Sequence, residues 1–272
     1  MVRMARIALL IEYSGKKFCG SQYQVGVRTV QAELESALAT LARRPVAAVF
    51  SGRTDSGVHA RGQVAHLDWP LPDVDLWRLC WSLNGILPAD MAVVKGQVVP
   101  EAFHARYSAV SREYVYRLLN RAQRSALLSE THHFVPLPLD VGAMREGAAK
   151  LIGEHDFRSF RSSNSDRTTT VCRISRAELL ILGEGVLEFW IVANHFVYNM
   201  VRIIVGTLVE IGLGKKNPAS IDAALAGAER DLAGPTAPAW GLCLNSVQYP
   251  EAYGLFASAT FRQADIVSGP ES

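Results

Sequence analysis

Residues 196–213, Phe-Val-Tyr-Asn-Met-Val-Arg-Ile-Ile-Val-Gly-Thr-Leu-Val-Glu-Ile-Gly-Leu, are apolar almost all round a helical projection. A helix without a wet face must be enclosed by other layers, so this segment commits the chain to a large core. Arg202 is the only charge between Phe196 and Val209. A guanidinium in such surroundings is costly unless paired. Glu210 lies two turns further on and out of reach, so the partner has to come from another part of the chain. It can be a structural acid or one belonging to a site, and snorkelling of the long side chain is the remaining alternative.

The elements around this helix alternate in type. Ile7 to Tyr13 reads as a strand. From Thr29 onward Val30, Leu34, Ala37, Leu38 and Leu41 share one helical face. Val46 to Phe50 and Gly62 to Asp68 read as strands. Asp73 can cap a helix buried through Leu76, Leu79, Cys80 and Leu83, and Met91 to Val99 closes the set. The order β-α-β-β-α-β is the split βαβ plan. The second half repeats it in topology without plain sequence similarity. Its strand is Ser111 to Leu119 and its helix Asp140 to Leu151. A hairpin follows, Val171 to Leu182 and Val186 to Ala193, turning at Gly183-Glu184-Gly185. Then come the apolar helix and a last strand, Leu242 to Tyr249. Residues 214–240 hold a short helix after Pro218 and a Gly/Pro/Ala-rich loop. The expected class is α+β, two split-βαβ (ferredoxin- or RRM-like) halves sharing a mixed, mainly antiparallel sheet with helices on one face and a cleft between the halves. Subdomains are expected at 1–105 and 106–250, with 251–272 a loosely held tail.

Composition narrows the function classes. The chain has 272 residues, 49% hydrophobic and 20% charged, with a net charge of +2. Nucleic acid would have to be held by a local patch, since bulk charge is too small. Cys19, Cys80, Cys172 and Cys243 form no Cys-x-x-Cys knuckle, and no apolar run approaches a bilayer span. Without an apolar segment behind the N-terminal charges, a cytoplasmic, reducing location is expected. His59 and His66 are seven apart, on opposite faces if extended, with no third ligand nearby; no metal is expected.

Residues 52–66 read Gly-Arg-Thr-Asp-Ser-Gly-Val-His-Ala-Arg-Gly-Gln-Val-Ala-His. Three glycines permit tight turns and close approach of backbone to a ligand. Arg53, Asp55 and His59 stand between them. By residue type alone, a polar turn and an active site are equally good readings. The run meets every fixed position of Gly-Arg-Thr-Asp-x-Gly-Val-His-x-x-Gly-Gln-Val, the signature of the tRNA pseudouridine synthase A family, which the chain resembles. The resemblance continues through Phe103-His104-Ala105-Arg106, Arg112-x-Tyr114-x-Tyr116, His155-Asp156-Phe157-x-Ser159-Phe160, Asn199-Met200-Val201-Arg202-x-Ile204-Val205-Gly206 and Ala237-Pro238-Ala239-x-Gly241-Leu242. It spans about residues 5–250.

The resemblance implies a pseudouridine synthase fold and a cofactor-free isomerase turning uridine into pseudouridine in tRNA. Its targets are uridines of the anticodon stem-loop, at tRNA positions 38, 39 and 40, reached by base flipping. It makes Asp55 the nucleophile and Tyr114 the ring that packs on the target base. It also implies a homodimer with tRNA lying across both subunits. Asp55 becomes the candidate partner of Arg202, a pairing expected to lower the carboxyl pKa. Tyr114 and Tyr116 share a face of their strand, and Tyr116 reads as core. Arg53 is expected on the phosphate beside the target.

Two arginine clusters suit phosphate contacts. One holds Arg106, Arg112, Arg117, Arg121 and Arg124; the other holds Arg158, Arg161, Arg167, Arg173 and Arg176. Arg106, Arg112, His59 and Tyr23 are candidate RNA contacts. The loop from Tyr13 to Gln24 matches a family loop with a departure. Ser21 stands where the family usually has tryptophan, and Tyr23 where it often has a basic residue, so Tyr23 is expected to replace the lost stacking. A non-catalytic RRM-like RNA-binding protein competes with this reading, but the exposed Gly/aromatic motif of such modules is missing. A hydrolase using Asp55 lacks a partner carboxylate or a nucleophile motif.

Overall fold

In the computed structural model, residues 5–71, 74–162, 169–227 and 229–256 are described. The first half runs β1 (Ala5–Tyr13), α1 (Val30–Ala42), β2 (Val49–Phe50), β3 (His59–Trp69), α2 (Leu76–Ile86) and β4 (Met91–Val98). The second runs β5 (Ser111–Asn120), β6 (His133–Val135), α3 (Val141–Ala149), β7 (Gly153–Asp156), β8 (Val171–Gly183), β9 (Val186–Ala193), α4 (Met200–Gly212), α5 (Ser220–Ala226) and β10 (Leu242–Gln248). Helix starts follow side-chain caps. The Thr29 hydroxyl accepts from Ala32 N, the Asp75 carboxylate from Arg78 N and the Asp140 carboxylate from Ala143 N. The cap of α2 is therefore Asp75; Asp73, expected in that role, lies outside the described residues.

One sheet runs β4-β1-β3-β10-β5-β9-β8-β7. With the short β6 and β7 set aside, each half arranges its four strands fourth, first, third, second, as β4-β1-β3-β2 and β10-β5-β9-β8, so the topology repeats although the sequences differ. The halves join where β10 pairs in parallel with the start of β3, Cys243 opposite His59 and Leu244 opposite Ala60. That join explains why the expected strand Val46–Phe50 shrinks to two residues. β10 occupies one end of β3, and β2 is left pairing only Val49 and Phe50 with His66 and Ala65 at the other. β6 and β7 were not legible as strands, being three and four residues long.

Residues Ile7, Leu9, Ile11, Ala65 and Leu67 of the sheet pack with Val30, Leu34 and Leu38 of α1. Tyr116, Leu118, Phe189 and Ile191 pack with Ile203, Ile204 and Leu208 of α4 on the same face of the sheet. Tyr114 touches both clusters, and the helical layer parts above it. On the opposite face of the first half, Ala8, Leu10 and Val64 are covered by Val99, Phe103, Ala105 and Phe256. Residues 251–256 are thus packed rather than loose: Tyr253 meets the Phe103 ring edge-on at 5.2 Å, and Phe256 N donates to Gln97 at 3.1 Å. The rest of the expected tail lies outside the described residues. No helix among the described residues is long and apolar enough to cross a membrane.

Candidate active site

The loop between β2 and β3 is anchored on both sides of Asp55. Thr54 N donates to Ser21 Oγ at 2.8 Å and Ser21 N to Thr54 O at 3.0 Å, a two-way clamp one residue before the carboxylate. The Thr54 hydroxyl lies 2.7 Å from the buried Tyr13 hydroxyl. Beneath it, fully buried Gln63 accepts from the Ser51 hydroxyl at 2.6 Å and donates to Gly52 O at 3.1 Å. After Asp55 the chain reverses through Gly57, whose φ of +81° is in the left-handed region that favours glycine, and Val58 N returns to Asp55 O at 3.1 Å.

α4 supplies the other half of the site. It begins at Met200 and not at Phe196, because Asn199 adopts a left-handed conformation (φ 61°, ψ 6°). Residues 196–199 therefore form a turn that lines the cleft. Arg202 Nε donates to Ala237 O at 2.8 Å, and Nη1 donates to Asn199 Oδ1 at 2.8 Å and to Asp55 Oδ2 at 3.5 Å. The segment supplying Ala237 lies against the helix at Gly206, where a Cβ would come within 1.7 Å of Pro235 O. The charge in the apolar helix is thus paired, and its partner is the carboxylate of the other half.

The pKa of Asp55 does not follow the expected direction. Burial raises it, the nearby Arg202 charge and hydrogen bond lower it, and burial wins. At 3.5 Å the contact is at the outer edge of a hydrogen bond, so the guanidinium only partly offsets desolvation. Burial also drives the Tyr114 hydroxyl far up, keeping it neutral. The Tyr114 ring meets Phe196 edge-on at 5.2 Å.

These groups border a cleft of about 1090 Å³ whose walls come from both halves, including Ser21, Arg53, Asp55, Arg106, Arg112, Tyr114, Asn199 and Arg202. Arg53 is exposed at the rim. Tyr23 is exposed and sits between the cleft-lining residues Gln22 and Gln24. The structure does not bring His59 to the cleft wall. Its Nδ1 accepts from Gly15 N at 3.1 Å, its Nε2 is 3.1 Å from Glu130 O, and burial lowers its pKa. Tyr116 is core, donating to Pro238 O at 2.8 Å.

The arginine clusters are more occupied internally than their composition suggested. Arg112 donates to the carbonyls of Ser51, Arg106, Ala109 and Asn194, stitching three segments of the cleft wall together. Arg117 pairs with Glu188, Arg158 with Asp156, and Arg176 with Glu113 and Glu178. Arg167 lies outside the described residues. Among the described residues there is no group of three or more His, Cys, Asp or Glu placed to hold a metal ion. Sequence reasoning missed Gln63 and Asn199. It also misjudged Ser21, which is 1% exposed and holds the loop instead of leaving a gap in a stacking surface.

Comparison with known proteins identifies the family. The family model described as tRNA pseudouridine synthase matches residues 148–250. A tRNA pseudouridine synthase A of Bacillus pumilus is 45% identical over 90% of this chain and 99% of its own length. Those of Methylococcus capsulatus and Halalkalibacterium halodurans are each 45% identical, over 94% and 88% of this chain and 94% and 90% of their own. Among solved structures, a chain from a Cbf5–Nop10–Gar1 complex superposes at 11% identity with a TM-score of 0.32, over 87% of this chain and 57% of its own, too remote to bear on the site. Matched nearly end to end with relatives at such identity, this chain belongs to the tRNA pseudouridine synthase A family, whose members are isomerases.

Proposed function

We propose that the chain isomerises uridine to pseudouridine in the anticodon stem-loop of tRNA, at positions 38, 39 and 40, with Asp55 as nucleophile. The observation that carries this reading is the Asp55–Arg202 pair. A carboxylate on an over-determined loop of one half meets the only charge on α4 between Met200 and Val209, in the lining of a cleft roomy enough for a flipped nucleotide. A flipped uridine entering the cleft meets the Tyr114 ring, an aromatic platform of the kind an unstacked base requires. The N1–C1′ bond breaks, the uracil turns, C5 bonds to C1′, the C5 proton leaves to solvent and N1 takes one up. Atoms balance without a cofactor. Asp55 must be ionised to attack, at the base or the sugar, and Arg202 favours that form against burial. Arg53 at the rim holds the phosphate beside the target, with Arg106 and Tyr23 further out on the RNA path. Residues 1–105 and 106–250 act as two subdomains that each supply a wall of the cleft. A homodimer spreads the tRNA over two copies, in the cytoplasm.

Incubation with tRNA carrying tritium at C5 of uridine tests the reading. The chain should release tritium and Asp55→Asn should release none. No release by the unaltered chain, or full release by Asp55→Asn, overturns it; binding without release leaves the RNA-binding alternative.

A further inference from the structure

The turn from Phe103 to Ser108 is held more completely than a surface turn requires. All six of its amides are donated: Phe103 N to Pro100 O, His104 N to Ser108 Oγ, Ala105 N to His66 Nδ1, Arg106 N and Tyr107 N both to His104 Nδ1, and Ser108 N to His104 O. Three of its carbonyls are also taken, Phe103 O by Arg6, Ala105 O by Tyr249 and Arg106 O by Arg112. Yet this rigid turn presents a largely exposed ring, since Tyr107 is 77% exposed.

That ring ends a continuous aromatic column. Fully buried Phe103 lies edge-on to His66 at 6.1 Å, His66 lies 4.7 Å from His104, and His104 lies 4.4 Å from Tyr107. The guanidinium of Arg106 stands 5.7 Å over the Tyr107 ring, and Arg106 also lines the cleft. His104 accepts both amides through Nδ1, which fixes its proton on Nε2 and keeps the ring neutral, tilted 35° against Tyr107. A phenol backed by packed rings loses little freedom when something stacks on it. An adjacent arginine offers a phosphate contact at the same point. Tyr107 itself stands just outside the cleft lining, next to Arg106 within it; Trp77 and Trp81, by contrast, stack on each other at 5.6 Å with no cleft-lining residue adjacent to them in the chain.

We propose that Tyr107, supported by His104 and flanked by Arg106, is a stacking subsite for an unpaired base next to the target uridine, with that nucleotide's phosphate on Arg106. This inference rests on the tRNA reading above. The subsite extends recognition beyond the flipped nucleotide and holds the neighbour apart, so that the target cannot restack on it.

The test is a binding cycle in the Asp55→Asn background, which prevents turnover. The probes are an RNA stem-loop with the target uridine and the same stem-loop with an abasic nucleotide 5′ or 3′ of it. Base–aromatic stacking predicts that Tyr107→Ala weakens binding of the intact RNA by roughly five- to a hundredfold, while Tyr107→Phe stays within about twofold. An abasic neighbour on one side should cost a similar factor with tyrosine present and almost nothing in the alanine variant. The exposed position spares the fold, and a general loss of structure would weaken all three RNAs alike. Unchanged affinity in Tyr107→Ala, or equal abasic penalties in both proteins, overturns the subsite. Tritium release by the unaltered chain separates the two failures: release with a flat cycle removes the subsite alone, and no release removes the reading beneath it.

Discussion

Replacing Arg202 with methionine removes the charge and keeps most of the apolar stem. At 3.5 Å and an effective dielectric of about 20, the pair with Asp55 is worth at most about 5 kcal/mol. The side chains retain 22% and 18% exposure, so water screens part of this, and a charge-assisted hydrogen bond of about 1.5–3 kcal/mol is the better guide. If the bond acts in the transition state, kcat/KM should fall about ten- to a hundred-and-fiftyfold. The loss should depend on pH. Burial already raises the Asp55 pKa against Arg202, so removing Arg202 leaves burial unopposed and raises it further. The acid limb of kcat/KM then moves toward neutrality, and the deficit is largest at low pH. Stability changes in the opposite sense. A carboxyl whose folded pKa is raised favours the fold fully below its unfolded value and disfavours it as pH rises through the folded one. The variant's deficit should therefore be smallest near pH 4, where only the bonds to Asn199 and Ala237 are missing, and grow toward pH 7, on the unfolded reference of about 3.9. Arg202→Lys keeps the charge but loses the fork that also holds Asn199 and Ala237, so it should restore the acid limb without restoring the rate. Tritium-release profiles from pH 5 to 9 and urea denaturation at both pH values read these outcomes. A deficit independent of pH, or unchanged turnover, refutes the proposed role of Arg202.

Two further predictions concern the scaffold. Ser21→Ala strands the buried Thr54 amide and should cost about 1–3 kcal/mol in urea denaturation, with a larger fall in kcat than rise in KM because the adjacent Asp55 loses its anchor; full stability with normal kcat contradicts the clamp. Burial, then the neighbouring His104 imidazole and the Arg6 charge, lower the His66 pKa to about 4, so the folded chain binds fewer protons than the unfolded one between there and about 6.5. Stability should be full above about pH 6.5 and fall by up to about 3 kcal/mol as pH drops toward 4. His66→Asn, whose carbonyl can still accept from Ala105 N, should flatten that slope, and an unaltered slope assigns it to other groups.

The reach of sequence reasoning here follows the range of the forces involved. Periodicity found the strands and helices that bury one or both faces along several residues, because each position adds to the same signal. It lost β2, since the pairing that shortens that strand is a join to β10 almost two hundred residues away. The Arg202 argument succeeded for a different reason. A charge in an apolar helix creates a requirement that must be met somewhere, and the loop motif said where. The sign of the Asp55 shift was missed because residue types reveal the presence of a partner but not how much water the cleft walls remove. The Ser21 error is the most instructive. A tryptophan replaced by serine reads as a lost surface when only side-chain size is compared. In the fold, that position lies beneath the loop that carries Asp55 and offers an oxygen to Thr54. The hydrogen bond spans thirty-three residues, and no local pattern encodes it. What such a position contributes is therefore set by backbone amides brought there by the fold, which is why Ser21→Ala, a change of one oxygen atom, discriminates better between a clamp and a gap than any larger substitution.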